Sequence, residues 1–178
     1  MRTCRKQLLT PEWEKLGDPV AQDIMIEGLQ LFFHTPPPLS SYPPPHAVTS
    51  PNQVRNMLPF IPGWLEMGYV REVLEQEALQ TPMFFSRTFT VPKGEVDRRP
   101  ILDLSELNKL LIIPKFRLET LERIVKSIVE GLWGTSLDIM DAYLNVALAP
   151  QFHKYFAFVL EKRTFVFQVL PFGLSTAG

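Results

Sequence analysis

Two aspartates separated by two residues stand in an apolar stretch of the chain. Asp138 lies between Leu137 and Ile139, and Asp141 follows after Met140. An aspartate in such a run is costly to bury unless it faces a cleft, pairs with a cation or binds a metal. Mg²⁺ prefers carboxylate oxygens and usually keeps waters and phosphate oxygens as its other ligands. Asp138 is therefore a candidate anchor for a metal-bound nucleotide, and the plainer alternative is a strand end capped by a turn.

Two cations flank a predicted turn earlier in the chain. Lys93 and Arg99 lie on either side of Gly94, in the run VPKGEVDRRPILDL. If the turn closes a hairpin, both cations can reach one anionic ligand. Arginine then suits two-pronged phosphate contact, while lysine acts as a point charge. The alternative is a solvated hairpin that carries charge for solubility alone.

An aromatic residue next to a bend is the third candidate. Phe172 lies between Pro171 and Gly173, in the run LPFGLS. Exposed beside such a bend, its ring could stack on a nucleobase or a sugar; the alternative is a core phenylalanine. The run Ser105–Lys109 predicts a helical turn with a structural role.

Composition sets outer limits on the kind of protein. The chain has 178 residues, of which 46% are hydrophobic, enough for a core of ordinary size. The net charge of -1 gives no global sign of nucleic-acid binding, although a binding cleft needs only local positive charge. Cys4 is the single cysteine, so an internal disulfide is excluded. Without a predicted membrane span or secretory signal, we expect an intracellular protein, in either nucleus or cytoplasm.

Hydrophobic periodicity and turn signals predict the elements that must position these residues. We expect helices over 11–16, 20–33, 61–79 and 117–130, and strands over 84–92, 99–104, 134–140, 155–160 and 164–170, the last two forming a hairpin. Residues 35–51, TPPPLSSYPPPHAVTSP, predict an extended and poorly packed spacer, because proline lacks a backbone donor. The sharper alternative for this spacer is a ligand for the aromatic-lined groove of a partner domain.

Taken together and in order, four blocks of the sequence resemble the successive conserved blocks of reverse transcriptases. The blocks are VPK, RRPILDLSELNK, SLDIMDAY and LPFGLSTA. The runs FRLETLERIVKSI and HKYFAFV are most similar to retrotransposons of the DIRS group, and the resemblance covers roughly residues 60–178. It implies an α+β fold: the fingers of a right-hand polymerase and part of its palm, an antiparallel sheet with packed helices. The implied divisions are an N-terminal segment 1–34, a Pro-rich linker 35–52 and a polymerase part 53–178.

The resemblance also implies roles for single residues. Asp138 matches the catalytic, metal-binding aspartate, and the carbonyl of Ile139 would bind the same Mg²⁺. The residues that match nucleotide-binding positions are Lys93, Arg99, Asp141, Ala142, Tyr143, Phe172 and Gly173. Tyr143 among them matches the steric gate against a ribose 2′-hydroxyl. The implied partners are a deoxynucleotide and an RNA or DNA template–primer, and the implied reaction is two-metal nucleotidyl transfer.

One part of the family pattern is not found within these 178 residues. Reverse transcriptases supply two further catalytic aspartates from a Tyr-x-Asp-Asp hairpin and hold the duplex with a thumb, and neither is present in the sequence. We therefore expect the chain by itself to be inactive. The alternative is a non-catalytic cellular binding module that uses the Pro-rich segment or the basic hairpin.

Overall fold

The computed structural model describes Lys15 and residues 17–95, 97–113, 120–131 and 133–175. Within them the α-helices are α1 Pro19–Glu27, α2 Pro51–Met57, α3 Ile61–Met67, α4 Glu75–Gln80, α5 Ser105–Asn108 and α6 Leu121–Ser127. The strands are β1 Val70–Val73, β2 Thr88–Lys93, β3 Asp97–Leu102, β4 Ala157–Leu160 and β5 Arg163–Phe167. Short 3₁₀ turns cover Pro45–Ala47, Leu58–Phe60, Ala142–Asn145 and Pro150–Tyr155. The predicted α+β class with antiparallel sheets is confirmed.

The first antiparallel pair is the hairpin β2–β3. Gly94 adopts a φ of 71° in its turn, a conformation that costs glycine little. The outer edge of β2 is capped by side chains, since the Thr88 and Thr90 amides donate to Thr49 Oγ1 at 3.0 Å and Gln53 Oε1 at 2.8 Å. The expected strands 84–92 and 99–104 are each displaced by a few residues. Phe85 instead forms a bridge with Ala157 of β4, so a tertiary pairing removes 84–86 from the hairpin.

The second sheet has the order β1–β5–β4, and both pairings are antiparallel. The predicted hairpin between 155–160 and 164–170 is confirmed as β4–β5. Glu161 and Lys162 form its two-residue loop, with φ values of 49° and 65°, as primed hairpin turns require. Its inward side chains belong to the core, whose largest fully buried members include Phe156, Phe158, Phe165, Met57 and Leu107.

The predicted continuous helix 61–79 is wrong over 68–74, which separate α3 from the second helix α4 at 75–80. Gly68 adopts the left-handed conformation at φ 70°, and the Tyr69 amide donates to Trp64 O at 2.9 Å, which closes α3. The chain then continues as β1 along β5. The apolar residues at helical spacing are here divided between a helix and a strand, because pairing with a distant strand outweighed local helix propensity.

The predicted helix 20–33 ends at Glu27. Gly28 turns the chain with φ 86° and ψ 162°, after which the Leu29 amide donates to Ala147 O at 2.7 Å. The helix expected over 117–130 is found only over Leu121–Ser127, and 117–119 lie outside the described residues. Apart from Lys15, so does the expected helix 11–16. No helix among the described residues is long and apolar enough to cross a bilayer.

The predicted strand over 134–140 is wrong. Residues 133–139 have no regular secondary structure, and Leu137, Ile139 and Met140 are exposed by 89%, 69% and 83%. A lone extended segment leaves its amides and carbonyls without partners, so a strand forms only beside another strand. Among the described strands none pairs with this segment, since β5 is flanked on both sides by β1 and β4. The side chains of 133–140 consequently face solvent.

Within the segment 35–51 that was predicted to be extended, residues 36–44 have no helix, but Pro45–Ala47 form a 3₁₀ turn and Pro51 begins α2. The expectation of poor packing is wrong, because Pro37, Ala47 and Thr49 are buried. Ser40 exchanges two backbone hydrogen bonds with Met83, at 2.9 and 2.8 Å. Prolines lack a backbone N–H donor. The non-proline residues of this segment therefore make the hydrogen bonds that attach it to the core.

A carboxylate joins the start of α5 to the strand region before β2. Asp103 accepts hydrogen bonds from the Ser105 hydroxyl at 2.6 Å and from Arg87 Nε at 2.7 Å. Burial raises the pKa of Asp103, but the hydrogen bonds from Ser105 and Arg87 outweigh burial and hold this pKa below its ordinary value. A carboxyl whose pKa is lower in the folded than in the unfolded chain stabilises the fold above the unfolded pKa. That contribution is lost as the pH falls through the folded pKa.

Asp103→Asn is therefore expected to lower the free energy of unfolding by about 1 kcal/mol at pH 7. The difference from the unmodified chain should shrink as the pH falls below the ordinary carboxyl pKa of about 4 and then through the lowered pKa of the folded Asp103 carboxyl. Urea unfolding of both chains at pH 7 and pH 3 measures it. A difference that is the same at both pH values would contradict a role for the charge.

Candidate functional site

A cavity of about 720 Å³ opens between the tip of the β2–β3 hairpin, residues 138–144 and the bend at 171–172. The predicted site residues that line it are Lys93, Arg99, Asp138, Ile139, Asp141, Ala142, Tyr143 and Phe172. Gly173 is the predicted residue that does not. Segments far apart in the sequence thus meet on one concave surface. The roles assigned to these residues remain predictions.

The basic side of the cavity is set by the register of the hairpin. Arg99 pairs with Val91 and Lys93 pairs with Asp97, so Lys93 and Arg99 extend from the same face of the ribbon. Within the described residues, neither of these two side chains makes an ion pair or a hydrogen bond with another side chain. Both charges are therefore open to an anionic ligand.

A third cation lines the cavity and was missed from the sequence. Arg98 donates from Nη1 to Thr90 Oγ1 at 3.3 Å, and that hydroxyl also donates to Gln53 Oε1 at 3.2 Å. These contacts fix the guanidinium to the hairpin and to α2. The sequence signal that could have indicated this cation is the adjacent pair Arg98-Arg99, of which the resemblance to reverse transcriptases assigned a role to Arg99 alone. Phe60 and Trp64 also line the cavity, and no sequence signal pointed to them.

The acidic side is a turn and not the strand that was expected. Asp141 adopts the left-handed conformation at φ 51° and ψ 42°, which aspartate tolerates better than most residues. The side-chain Nδ2 of Asn145 donates to the carbonyls of Met140 at 3.2 Å and Asp141 at 3.1 Å. Leu144 is buried and anchors the 3₁₀ turn that follows. Asp138 and Asp141 thus reach the cavity from an exposed loop held by Asn145 and Leu144.

Two aromatic rings close the remaining side. Tyr143 and Phe172 meet edge to face, with ring centroids 5.5 Å apart and planes at 83°. Such T-shaped pairs favour one mutual orientation. Gly173, directly after Phe172, has a φ of 95°, so the bend requires a residue without a Cβ. A planar ligand could therefore contact Phe172 and Tyr143 together.

The charges are arranged to suit a metal-bound polyphosphate. Lys93 and Arg99 can bind phosphate oxygens, while Asp138 and Asp141 offer the hard oxygen ligands that Mg²⁺ prefers. The carbonyl of Ile139 is a further oxygen donor on the same wall. Among the described residues no group of three or more His, Cys, Asp or Glu side chains could hold a metal ion. Phosphate oxygens of the ligand itself would have to complete such a site.

Comparison with known proteins gives related sequences and a related fold, although no protein-family model matches the chain. It is 29% identical over 140 residues to the Transposon Tf2-3 polyprotein of Schizosaccharomyces pombe, and 28% identical over 140 residues to the Tf2-7 polyprotein. Each match covers 79% of this chain but only 10% of the relative.

A solved structure shares the fold. The crystal structure of prototype foamy virus protease–reverse transcriptase matches with a TM-score of 0.56 and 20% identity, over 75% of this chain and 18% of that one. The chain spans about a tenth of the length of its transposon relatives. The sequence similarity supports a protein of the polyprotein (pol) region of retroelements, and the solved structure shows a shared fold.

Proposed function

We propose that this chain forms the nucleotide-binding part of a retroelement reverse transcriptase, an RNA-directed DNA polymerase. The observation that carries the proposal is the convergence of Lys93 and Arg99 with Asp138 and Asp141 on one cavity. A chance resemblance of short motifs gives no reason for these distant segments to meet. Within the retroelements, the amino-acid sequences of the motifs favour the DIRS group.

In this proposal each wall binds one part of a deoxynucleoside triphosphate. Lys93 and Arg99 bind the triphosphate, and Asp138 with the Ile139 carbonyl would hold Mg²⁺, which offsets charge on the reacting phosphates when bound. Asp141 and Ala142 lie beside the triphosphate and sugar, Tyr143 excludes a ribose 2′-hydroxyl, and Phe172 with Gly173 supports the base. The complete enzyme joins the primer 3′-oxygen to the α-phosphate and releases pyrophosphate.

The alternative of a groove-binding ligand at the Pro-rich segment has less support. Pro37 is buried and the backbone of Ser40 is paired with Met83. A partner domain that bound this segment would have to displace those contacts, whereas it would meet no such obstacle at a free spacer.

Nucleotide binding tests the proposal directly. The double variant Lys93→Ala/Arg99→Ala is expected to weaken binding of a fluorescent deoxynucleoside triphosphate with Mg²⁺ about 10- to 100-fold, since charge-assisted hydrogen bonds are lost. The matched control is Arg55→Ala/Lys126→Ala, which removes the same charge from exposed helix positions. Equal losses in the two variants would mean that net charge attracts the nucleotide, and the cavity would then not be its site.

A further inference from the structure

The side chain of Asn108 joins α5 to the bend that carries Phe172. Its Nδ2 donates to the carbonyl of Gly173 at 2.8 Å, and its Oδ1 accepts from the amide of Ser175 at 3.0 Å. Both ends of one side-chain amide are therefore engaged by the same short stretch of backbone. Two such bonds fix direction as well as distance, because the donor and acceptor of an amide lie in one plane.

Asn108 is itself held by a well-anchored turn. Its backbone amide donates to Leu104 O at 2.8 Å, and the neighbouring Leu107 is completely buried. Asp103 fixes the start of this turn through Ser105, as described above. The turn follows directly after β3, the strand that carries Arg99. Asn108 thus belongs to the element that follows the hairpin in the chain.

The Phe172 ring packs against the core and meets Tyr143 edge to face, and the backbone that follows it is held at fewer points. Pro171 and Leu174 are buried and hold the two ends of the bend, while Gly173 between them is exposed. Within the described residues, the Gly173 carbonyl and the Ser175 amide have no other hydrogen-bond partner than Asn108. The direction of the Phe172 ring depends on this backbone, because the ring is attached one residue before Gly173.

We propose that Asn108 is a positioning residue that fixes the Phe172 bend relative to the hairpin bearing Arg99. The inference rests on the proposed nucleotide function and assigns the phosphate part and the nucleoside part of binding to different residues. Lys93 and Arg99 bind phosphates whether or not the bend is fixed, whereas contact with the base and sugar requires it. Loss of the Asn108 amide therefore weakens the nucleoside part of binding and leaves the phosphate part intact.

Two ligands separate these parts: a deoxynucleoside triphosphate and inorganic tripolyphosphate, each with Mg²⁺. Asn108→Leu is expected to weaken deoxynucleotide binding about tenfold and to leave tripolyphosphate binding within about twofold. Asn108→Asp keeps the acceptor for Ser175 but loses the donor to Gly173, so its loss should be smaller. Hydrogen exchange at the Ser175 amide should become faster in Asn108→Leu than in the unmodified chain. Asn52→Leu, at an exposed position of α2, is the control and should change neither ligand.

The outcomes separate the inference from the function on which it rests. Equal weakening of both ligands by Asn108→Leu would mean general loss of structure and would overturn the positioning role. So would unchanged exchange at Ser175, or unchanged deoxynucleotide binding in a chain that otherwise binds it. If the unmodified chain bound tripolyphosphate and deoxynucleotide equally, the nucleotide site itself would be overturned, and this inference with it.

Discussion

A purified polypeptide of these 178 residues is expected to show no template-directed primer extension, with either Mg²⁺ or Mn²⁺. Two-metal transfer needs both ions held about 4 Å apart by carboxylates and substrate phosphates. Asp138 and Asp141 are the carboxylates that line the cavity, and both are exposed. Mg²⁺ sheds its water shell reluctantly, so two exposed carboxylates hold it weakly. Binding of a nucleotide and catalysis are therefore expected to separate in this polypeptide.

Fusion to a polymerase segment that supplies a Tyr-x-Asp-Asp hairpin and a thumb should restore extension on an RNA template. In that fusion, Asp138→Ala is expected to lower the rate by about a thousandfold or more, because stabilisation of charge at the reacting phosphate is lost. Asp23→Ala, at an exposed position of α1, is the matched control and should retain activity. Extension by the 178-residue polypeptide that Asp138→Ala abolishes would show that its own carboxylates suffice.

The second large effect is on stability, at Gly28. Its φ of 86° with ψ 162° belongs to a region that residues with a Cβ rarely enter. A Cβ built there would lie 2.6 Å from the backbone nitrogen of Ala149 and 2.7 Å from the carbonyl carbon of Leu148. Those atoms belong to backbone that is hydrogen-bonded to Leu29, so they cannot move independently. Backbone strain and overpacking therefore act together.

Gly28→Ala is expected to lower the free energy of unfolding by about 3 kcal/mol or more, measured by urea unfolding. Gly63→Ala is the control, because Gly63 lies within α3 with open space where its Cβ would be. That substitution should be neutral or stabilising by up to about 1 kcal/mol. A cost at Gly28 below about 1 kcal/mol would show that the 28–149 contact is not part of the stable fold.

Local signals were sufficient for the two hairpins and for part of the site. Gly94 between β-rich runs predicted β2–β3, and the charged interruption at 161–163 predicted β4–β5. A hairpin closes between neighbours in sequence, so its turn and its alternation are both visible in a short window. Lys93, Arg99, the two aspartates and Phe172 were likewise recognisable by residue type and order, whereas Arg98, Phe60 and Trp64 were not.

Everything that depends on a distant partner was decided by the tertiary structure. Residues 134–140 have strand-like composition but no described strand beside them, while Val70–Val73 sits in a helical pattern and became a strand because β5 lies alongside. The Pro-rich segment is packed through contacts with Met83 and Thr88. The contacts of Asn108 are with Gly173 and Ser175, which are distant from it in the sequence. Residue type and local spacing determined which chemistry this chain can offer. Backbone hydrogen bonds that are satisfied only across long sequence separations decided where that chemistry is held.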